Sequence, residues 1–257
     1  MILPAISSHA TEQILPRRMP GLDFEKTKAN AANGNASAQY NLGVMYEQGI
    51  GTPEDLSEAA KWYRRAAEQG DPEAQSNLGV LYDQGRGMAQ DQAAAAKWYA
   101  AAAEKGHTVA QFNLSILLEH GFGIRQDERK AAFWCERAAK QGMAAAQSNL
   151  ALLYVQGRAG LLQNFREAMK WNRKAADQGL AQAQHNIGVM YARGLGVKID
   201  FVEAYKWFSL AAAQRYNASV SVLYLLAQML TAPEIAEAKR RIARSPAGSQ
   251  TSRRALE

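Results

Sequence analysis

The glycine pairs of the sequence are the first residues whose type and spacing could do chemistry. They recur as Gly-x-Gly at residues 49–51, 85–87, 121–123 and 194–196. A phosphate-binding loop places such glycines after a strand and before a helix, so that backbone N–H groups point at the anion. Here each pair follows a helical pattern instead. The glycines are therefore predicted to end helices, because glycine adopts the left-handed conformation of a helix C-cap without steric cost.

Histidine and cysteine do not form a recognisable catalytic or metal-binding pattern. His9, His107, His120 and His185 have no HxxxH or HExxH spacing, which would place ligands on one face of a helix. Cys135 is the single cysteine, so neither an intrachain disulfide nor a thiolate cluster can form. We therefore predict no enzyme activity, catalytic residue, metal or cofactor, and expect Cys135 to be a small buried hydrophobe.

Composition and charge exclude other classes of protein. Apolar residues make up 47% of the 257 residues, and only seven are proline, which together with sparse β-branched residues favours an all-α protein. The formal net charge is +6, but the last nineteen residues hold six basic side chains and one acid. The rest is nearly neutral. No apolar stretch approaches the roughly 20 residues of a membrane span, and the N-terminus lacks a signal-peptide pattern, so a cytoplasmic monomer is expected.

An internal repeat organises the chain. Tryptophan recurs at spacings of 36, 36, 37 and 36, as do a glutamine and, two places later, an asparagine. The tryptophans are Trp62, Trp98, Trp134, Trp171 and Trp207. Each is predicted to be an apolar anchor between neighbouring units. The residue before each is lysine, except Phe133 in the third unit.

Each repeat is predicted to consist of two helices, A and B. In the first unit Ala38, Leu42, Met45 and Tyr46 lie on one face of helix A, which a glycine turn then ends. The predicted turn glycines are Gly49, Gly85, Gly121, Gly157 and Gly194. Helix B is predicted to begin with a capping box, as in Asp55 with Glu58, Asn164 with Glu167 and Asp200 with Glu203. Stacked pairs bury a continuous core that one pair cannot form.

The pattern A-x-x-Q-x-N-L-G-x-x-Y-x-x-G-x-G, followed by A-x-K-W-Y-x-x-A-A-x-x-G, resembles the Sel-one-like repeat family, relatives of the tetratricopeptide repeats. "AQYNLGVMYEQGIG" with "AAKWYRRAAEQG" is a representative copy. The resemblance implies an all-α, right-handed α-solenoid that presents surfaces to protein partners. The sequence departs from the pattern at Leu118, where other copies have tyrosine, at an extra residue within 157–160, and at Arg215 in place of the last glycine.

The period of the repeat predicts the boundaries of the structural segments within the chain. A solenoid over 22–244 is expected, in which a half-repeat precedes five full repeats and a C-terminal cap follows them. The repeats are placed at about 35–70, 71–106, 107–142, 143–179 and 180–215, and the cap at 216–244. Residues 1–21 and 245–257 are predicted to be disordered.

A second stripe on helix A varies between repeats and, by similarity to tetratricopeptide arrays, is predicted to line a concave groove. Its members are Tyr40, Val44, Glu47 and Gln48; Ser76, Val80, Asp83 and Gln84; Phe112, Ile116, Glu119 and His120; Ser148, Leu152, Val155 and Gln156; and His185, Val189, Ala192 and Arg193. One row is aliphatic in all five repeats (Val44, Val80, Ile116, Leu152 and Val189), and it could belong either to the core or to the groove. Another row is acidic in the first three repeats and apolar in the last two.

This pattern favours a non-enzymatic scaffold or adaptor that binds a protein or peptide in the groove. The partner is expected to present basic residues to the first three repeats. Two alternatives remain open. Cysteine-rich members of the family have been linked with β-lactamase or penicillin binding, although their paired cysteines and an S-x-x-K motif are absent. The basic C-terminal residues could instead attach the chain to nucleic acid or an anionic membrane.

Overall fold

Residues 23–244 are described by the computed structural model, and between them the chain forms thirteen α-helices and no strand. The helices are α1 (Phe24–Ala32), α2 (Ala36–Gln48), α3 (Leu56–Glu68), α4 (Pro72–Gln84), α5 (Gln92–Glu104), α6 (Thr108–His120), α7 (Glu128–Lys140), α8 (Ala144–Gln156), α9 (Phe165–Asp177), α10 (Ala181–Arg193), α11 (Phe201–Ala213), α12 (Asn217–Met229) and α13 (Ala232–Ala243). The all-α prediction is confirmed. The segments predicted to be disordered, 1–21 and 245–257, lie outside the described residues.

The described residues divide into two compact units, which meet in the chain between Arg137 and Ala138. In the first unit (residues 23–137), α2 pairs with α3 and α4 with α5, while α1 packs on α2, α3 on α4 and α5 on α6. In the second unit (residues 138–244), α8 pairs with α9 and α10 with α11, and α11 also contacts α12 and α13. Even-numbered helices from α2 to α10 are therefore helix A of each repeat, and odd-numbered helices from α3 to α11 are helix B.

Glycine ends helix A in all five repeats. Gly49, Gly85, Gly121, Gly157 and Gly194 have φ values of 66°, 66°, 75°, 63° and 69°. These are left-handed conformations that a Cβ disfavours. A non-glycine residue takes a similar conformation at two of the departures from the repeat, Ala159 (φ 57°) and Arg215 (φ 61°).

The predicted capping box of helix B forms only in part. The Asp55 carboxylate accepts hydrogen bonds from the amides of Ser57 and Glu58, at 3.0 and 2.9 Å. Glu58 pairs instead with Lys61 at 2.6 Å, because the Asp55 N–H already donates to the Tyr46 carbonyl at 2.9 Å. The prediction of a hydrogen bond from the Asp55 N–H to the Glu58 side chain is thus wrong for α3, because that N–H is already bonded within the turn.

The recurring glutamine of helix A joins consecutive repeats. The side-chain amides of Gln39, Gln75 and Gln111 donate to carbonyls eight residues earlier, at 3.1, 3.0 and 3.1 Å. Those carbonyls lie at the end of the preceding helix, where no intrahelical partner exists. The Gln39 Oε1 also accepts a hydrogen bond from Gln69 at 2.7 Å. Burial of the glutamine is thereby compensated on both sides of its amide.

This network is broken at Lys105, which takes the place of Gln69 one repeat later. Its ammonium donates to the Gly70 carbonyl, and the Gln75 Oε1 is buried without a hydrogen-bond partner in the described chain. In the second unit, by comparison, Gln178 donates both to the Gly142 carbonyl (2.9 Å) and to the Gln147 Oε1 (2.8 Å). A glutamine at position 105 can therefore satisfy both acceptors.

Lys105→Gln is accordingly expected to raise the free energy of unfolding by about 0.5–1.5 kcal/mol, the contribution of one recovered buried hydrogen bond. Urea denaturation followed by circular dichroism measures the change. Lys97→Gln, at an exposed lysine of α5, the helix that Lys105 caps, is the matched control for the lost charge. Equal stability changes in the two variants would contradict the assignment.

Candidate functional site

The structure places the predicted groove residues in two classes. Six of the twenty are buried, with no more than 9% of their surface exposed, and cannot contact a partner without rearrangement. They are Val44, Ser76, Phe112, Ser148, Leu152 and His185. The aliphatic row is therefore split between core and surface, since Val44 and Leu152 are buried while Val80, Ile116 and Val189 are partly exposed.

The remaining fourteen positions are at least partly exposed. In the first unit they are Tyr40, Glu47, Gln48, Val80, Asp83, Gln84, Ile116, Glu119 and His120, and in the second unit Val155, Gln156, Val189, Ala192 and Arg193. We call the first group the helix A surface of the first unit. It mixes amides, carboxylates and aliphatic side chains, whereas the second group is mainly apolar.

Tyr40 lies in an acidic environment on this surface. Its pKa is raised to about 12, mainly by burial and further by the charges of Glu73, Asp71 and Glu47. The phenol therefore stays neutral at physiological pH. Asp71 and Glu73, at the start of α4, belong to this environment. The sequence analysis did not identify them, because it considered only positions on one face of each helix A. These two acids lie at the N-terminus of the helix A that follows.

Glu47 has a structural role in addition to any contact with a partner. Its carboxylate accepts a hydrogen bond from the Tyr63 hydroxyl at 2.7 Å and lies 3.5 Å from the Arg86 guanidinium. Burial, followed by the nearby Glu47 charge, raises the pKa of Tyr63 well above its usual range. The contacts with Tyr63 and Arg86 thus account for an acid at this position without any contact with a partner.

His185, one of the four predicted groove residues of the fifth repeat, lies in the core of the second unit. Its Nδ1 is 2.8 Å from the Ser219 hydroxyl, and its ring lies 5.2 Å from Phe208 and 5.3 Å from Tyr216 between centroids. Burial lowers its pKa to about 4. The neutral imidazole packs α12 against α10, and its burial keeps it from contact with a ligand.

The residues that could bind a metal do not converge. Among residues 23–244 there is no group of three or more histidine, cysteine, aspartate or glutamate side chains placed to hold an ion. Cys135 is buried. His107 is the N-cap of α6: its Nδ1 accepts from the Ala110 amide at 3.2 Å, and its Nε2 lies 3.0 Å from Glu73. In the same part of the chain, no helix has the length and apolar character of a membrane span.

Comparison with known proteins agrees with this architecture. The model of the Sel1 repeat matches five consecutive segments, residues 36–71, 72–107, 108–143, 144–180 and 181–216. A Sel1 repeat protein from Oxalobacter formigenes has a similar structure, with a TM-score of 0.69 and 33% identity over 75% of this chain and 76% of that chain. The uropathogenic Escherichia coli antigen c5321, which has an SLR fold, gives a TM-score of 0.60 at 29% identity, over 88% of this chain and 55% of that chain.

A curated relative matches a shorter part of the chain. Chitin synthase regulator SKT5 of Malassezia restricta is 46% identical over 57 residues, which are 21% of this chain and 4% of that protein. The chain thus spans a small fraction of the length of this relative. Five matched repeats and the shared fold nevertheless cover most of the chain, which therefore belongs to the Sel1 repeat family, whose members are generally non-catalytic scaffolds for protein interaction.

Proposed function

We propose that this protein is a non-enzymatic scaffold that binds a basic peptide or helix through the helix A surface of the first unit. The observation that carries the proposal is a row of partly exposed carboxylates at one position of three successive A helices, Glu47, Asp83 and Glu119. The charges of Glu73, Asp71 and Glu47 around Tyr40 add to the acidic character of this surface. Electrostatic complementarity of this kind favours partner choice and association rate.

The arrangement of the side chains supports recognition of a polypeptide. Val80 and Ile116 are partly exposed beside the carboxylates of Asp83 and Glu119, so apolar and charged contacts alternate along successive helices. An amphipathic helix or extended peptide presents both kinds of group at regular spacing. The name of the relative SKT5, a chitin synthase regulator, is consistent with action on another protein, although it does not indicate the partner of this chain.

The alternative of attachment through the basic C-terminal residues receives less support. Arg241 lies 3.2 Å from Asp200 and 3.1 Å from Glu203, and Arg240 lies 2.8 Å from Glu237. Two of the six basic side chains are thus engaged within the second unit. Arg253 and Arg254 lie outside the described residues.

The proposal is tested by selecting a random-peptide display library on the full chain and measuring the affinity of an enriched peptide by fluorescence anisotropy. We expect enrichment in Lys and Arg. The triple change Glu47→Gln, Asp83→Asn and Glu119→Gln keeps the hydrogen-bonding shape but removes three charges, and should weaken binding about tenfold at low salt.

Glu25→Gln, Glu68→Gln and Asp177→Asn, at exposed acids of α1, α3 and α9 that belong to no helix A, form the matched control, since they remove the same net charge. An equal loss of affinity in both triple variants would show a general charge effect. Unchanged affinity in the first variant would contradict the electrostatic part of the proposal, and the absence of any enriched peptide would contradict peptide binding.

A further inference from the structure

A cavity of about 720 Å³ opens on the first unit, and none of its lining residues belongs to the helix A surface. We call it the third-repeat pocket. Its lining includes Ala100, Glu104, Leu118, Arg125, Phe133 and Trp134. Its size lies within the range of about 300–1,000 Å³ that is typical of small-ligand sites. Leu114 and Leu118 belong to the buried core of this unit, so the floor of the pocket is apolar and rigid.

The pocket exists because two side chains that fill the same place elsewhere are missing here. One repeat earlier, the Arg64 guanidinium lies 5.7 Å from the centroid of the Tyr82 ring and donates a hydrogen bond to its hydroxyl. The second unit repeats this pair as Arg173 and Tyr191, with 2.6 Å between nitrogen and hydroxyl. The positions equivalent to Arg64 and Tyr82 are Ala100 and Leu118. Loss of the guanidinium and of the phenol opens the cavity.

A third departure from the repeat supplies an aromatic wall. Phe133 stands where the other copies have lysine, and 49% of its surface is exposed. Its ring meets the neighbouring Trp134 ring edge to face, with 5.0 Å between centroids. The Arg137 guanidinium lies 4.9 Å from the centroid of the Phe133 ring, so one side of the ring is covered and about half of the residue stays exposed. The ring gives the pocket a second apolar face opposite Leu118.

The rim carries two charges that are not neutralised within the unit. In the described part of the chain, Glu104 and Arg125 have neither an ion pair nor a side-chain hydrogen bond. Asp127 and Lys130, also on the rim, lie 3.8 Å apart and pair with each other. Glu104 is one helical turn after Ala100 on α5, so a cation that took the place of the missing guanidinium would lie next to a free carboxylate.

We propose that the third-repeat pocket binds an aromatic side chain of a partner polypeptide, with an adjacent basic residue directed at Glu104. The partner supplies the aromatic ring and the cation that the chain itself supplies elsewhere, as Tyr82 with Arg64 and Tyr191 with Arg173. The aromatic ring fills the volume beside Leu118 and Phe133, and the cation replaces the absent arginine. Buried aromatic anchors flanked by charge are typical of interaction hot spots. This site is independent of the helix A surface.

The probe is the peptide acetyl-Gly-Arg-Tyr-Gly-amide, titrated into the ¹⁵N-labelled full chain and followed by NMR. We expect saturable shifts of the Trp134 indole N–H and of amides around Ala100 and Leu118, with a dissociation constant in the millimolar range or tighter. The peptide with alanine in place of tyrosine should not bind. Replacement of its arginine by alanine should weaken binding roughly threefold, as expected for one partly exposed ion pair.

The decisive variant is Ala100→Arg with Leu118→Tyr, which copies the Arg64–Tyr82 pair found one repeat earlier and fills the pocket. Because the chain already accepts this pair at Arg64 and Tyr82, we expect the variant to fold with at least wild-type melting temperature and to bind the peptide at least about tenfold more weakly, in line with the loss of an anchor pocket. Ala93→Arg, at an exposed position of the same helix, controls for the added charge.

Three results would overturn the proposal. One is the absence of saturable shifts in the wild-type chain up to a peptide concentration of about 5 mM, the weak limit of specific recognition. The second is binding that survives in the filled variant. The third is equal binding of the tyrosine-free peptide, which would show that charge alone drives the contact. None of these results bears on the helix A surface, whose test uses different residues.

Discussion

Gly79→Ala is expected to lower the free energy of unfolding by about 1–3 kcal/mol, although alanine favours a helix by about 1 kcal/mol over glycine. A Cβ at Gly79 would lie 2.7 Å from two ring carbons of Tyr99, whose side chain is completely buried. The ring cannot move away without displacing the core around it. Urea denaturation of the full chain measures the loss.

The third repeat offers the control for this prediction. Its equivalents of Gly79 and Tyr99 are Ser115 and Cys135, both buried, so a larger residue on helix A faces a smaller one on helix B. Gly79→Ser combined with Tyr99→Cys copies that pair. We expect the double variant to be about 1–3 kcal/mol more stable than the sum of its single changes, because the clash is removed. Additive effects would contradict the idea that the two positions share one volume.

Stability is expected to fall as the pH decreases from 6.5 towards 4, by an amount on the order of 2–3 kcal/mol at His185. Burial lowers the pKa of this imidazole to about 4, from 6.5 when solvated. Between these values the unfolded chain binds a proton that the folded chain does not, so acid favours unfolding. Above pH 6.5 both states are neutral at this residue and the contribution disappears.

His185→Phe isolates this effect, because it keeps an aromatic ring against Phe208 and Tyr216 while it removes the titrating group. We expect its stability to vary less between pH 7 and pH 4.5 than that of the wild-type chain, in urea denaturation at several pH values. NMR titration of the imidazole gives a direct measurement. A titration midpoint near 6.5, or an unchanged pH dependence of stability in the variant, would show that burial does not lower the pKa of His185.

Local sequence was sufficient to predict the helices and their ends. Helix A and helix B repeat because apolar side chains return at helical spacing, and Gly49 or Gly85 ends a helix through a preference of its own backbone. Such signals depend on residues a few positions apart. Five copies of the same signals leave little ambiguity about the period, and the fold class follows from it.

The candidate binding residues were less predictable because exposure depends on neighbours distant in sequence. Ser76 and His185 occupy the same stripe as the partly exposed Tyr40, yet both are buried. The sequence shows the charge of Glu47 but not its second role, since only the fold brings Tyr63 and Arg86 beside the carboxylate. A helical stripe defines a direction from the helix axis, but it does not tell which side chain of the next helix covers it.

The sequence by itself determined the repeat, its two-helix unit, the glycine turns and the membership in a scaffold family, because each depends on short-range patterns copied five times. The departures at Leu118 and Phe133 were also visible there, as isolated substitutions. Tertiary structure decided that they meet with Ala100 around one cavity. Residues on three different helices can share a volume only after the helices pack, and that packing gives the third repeat a surface unlike its neighbours.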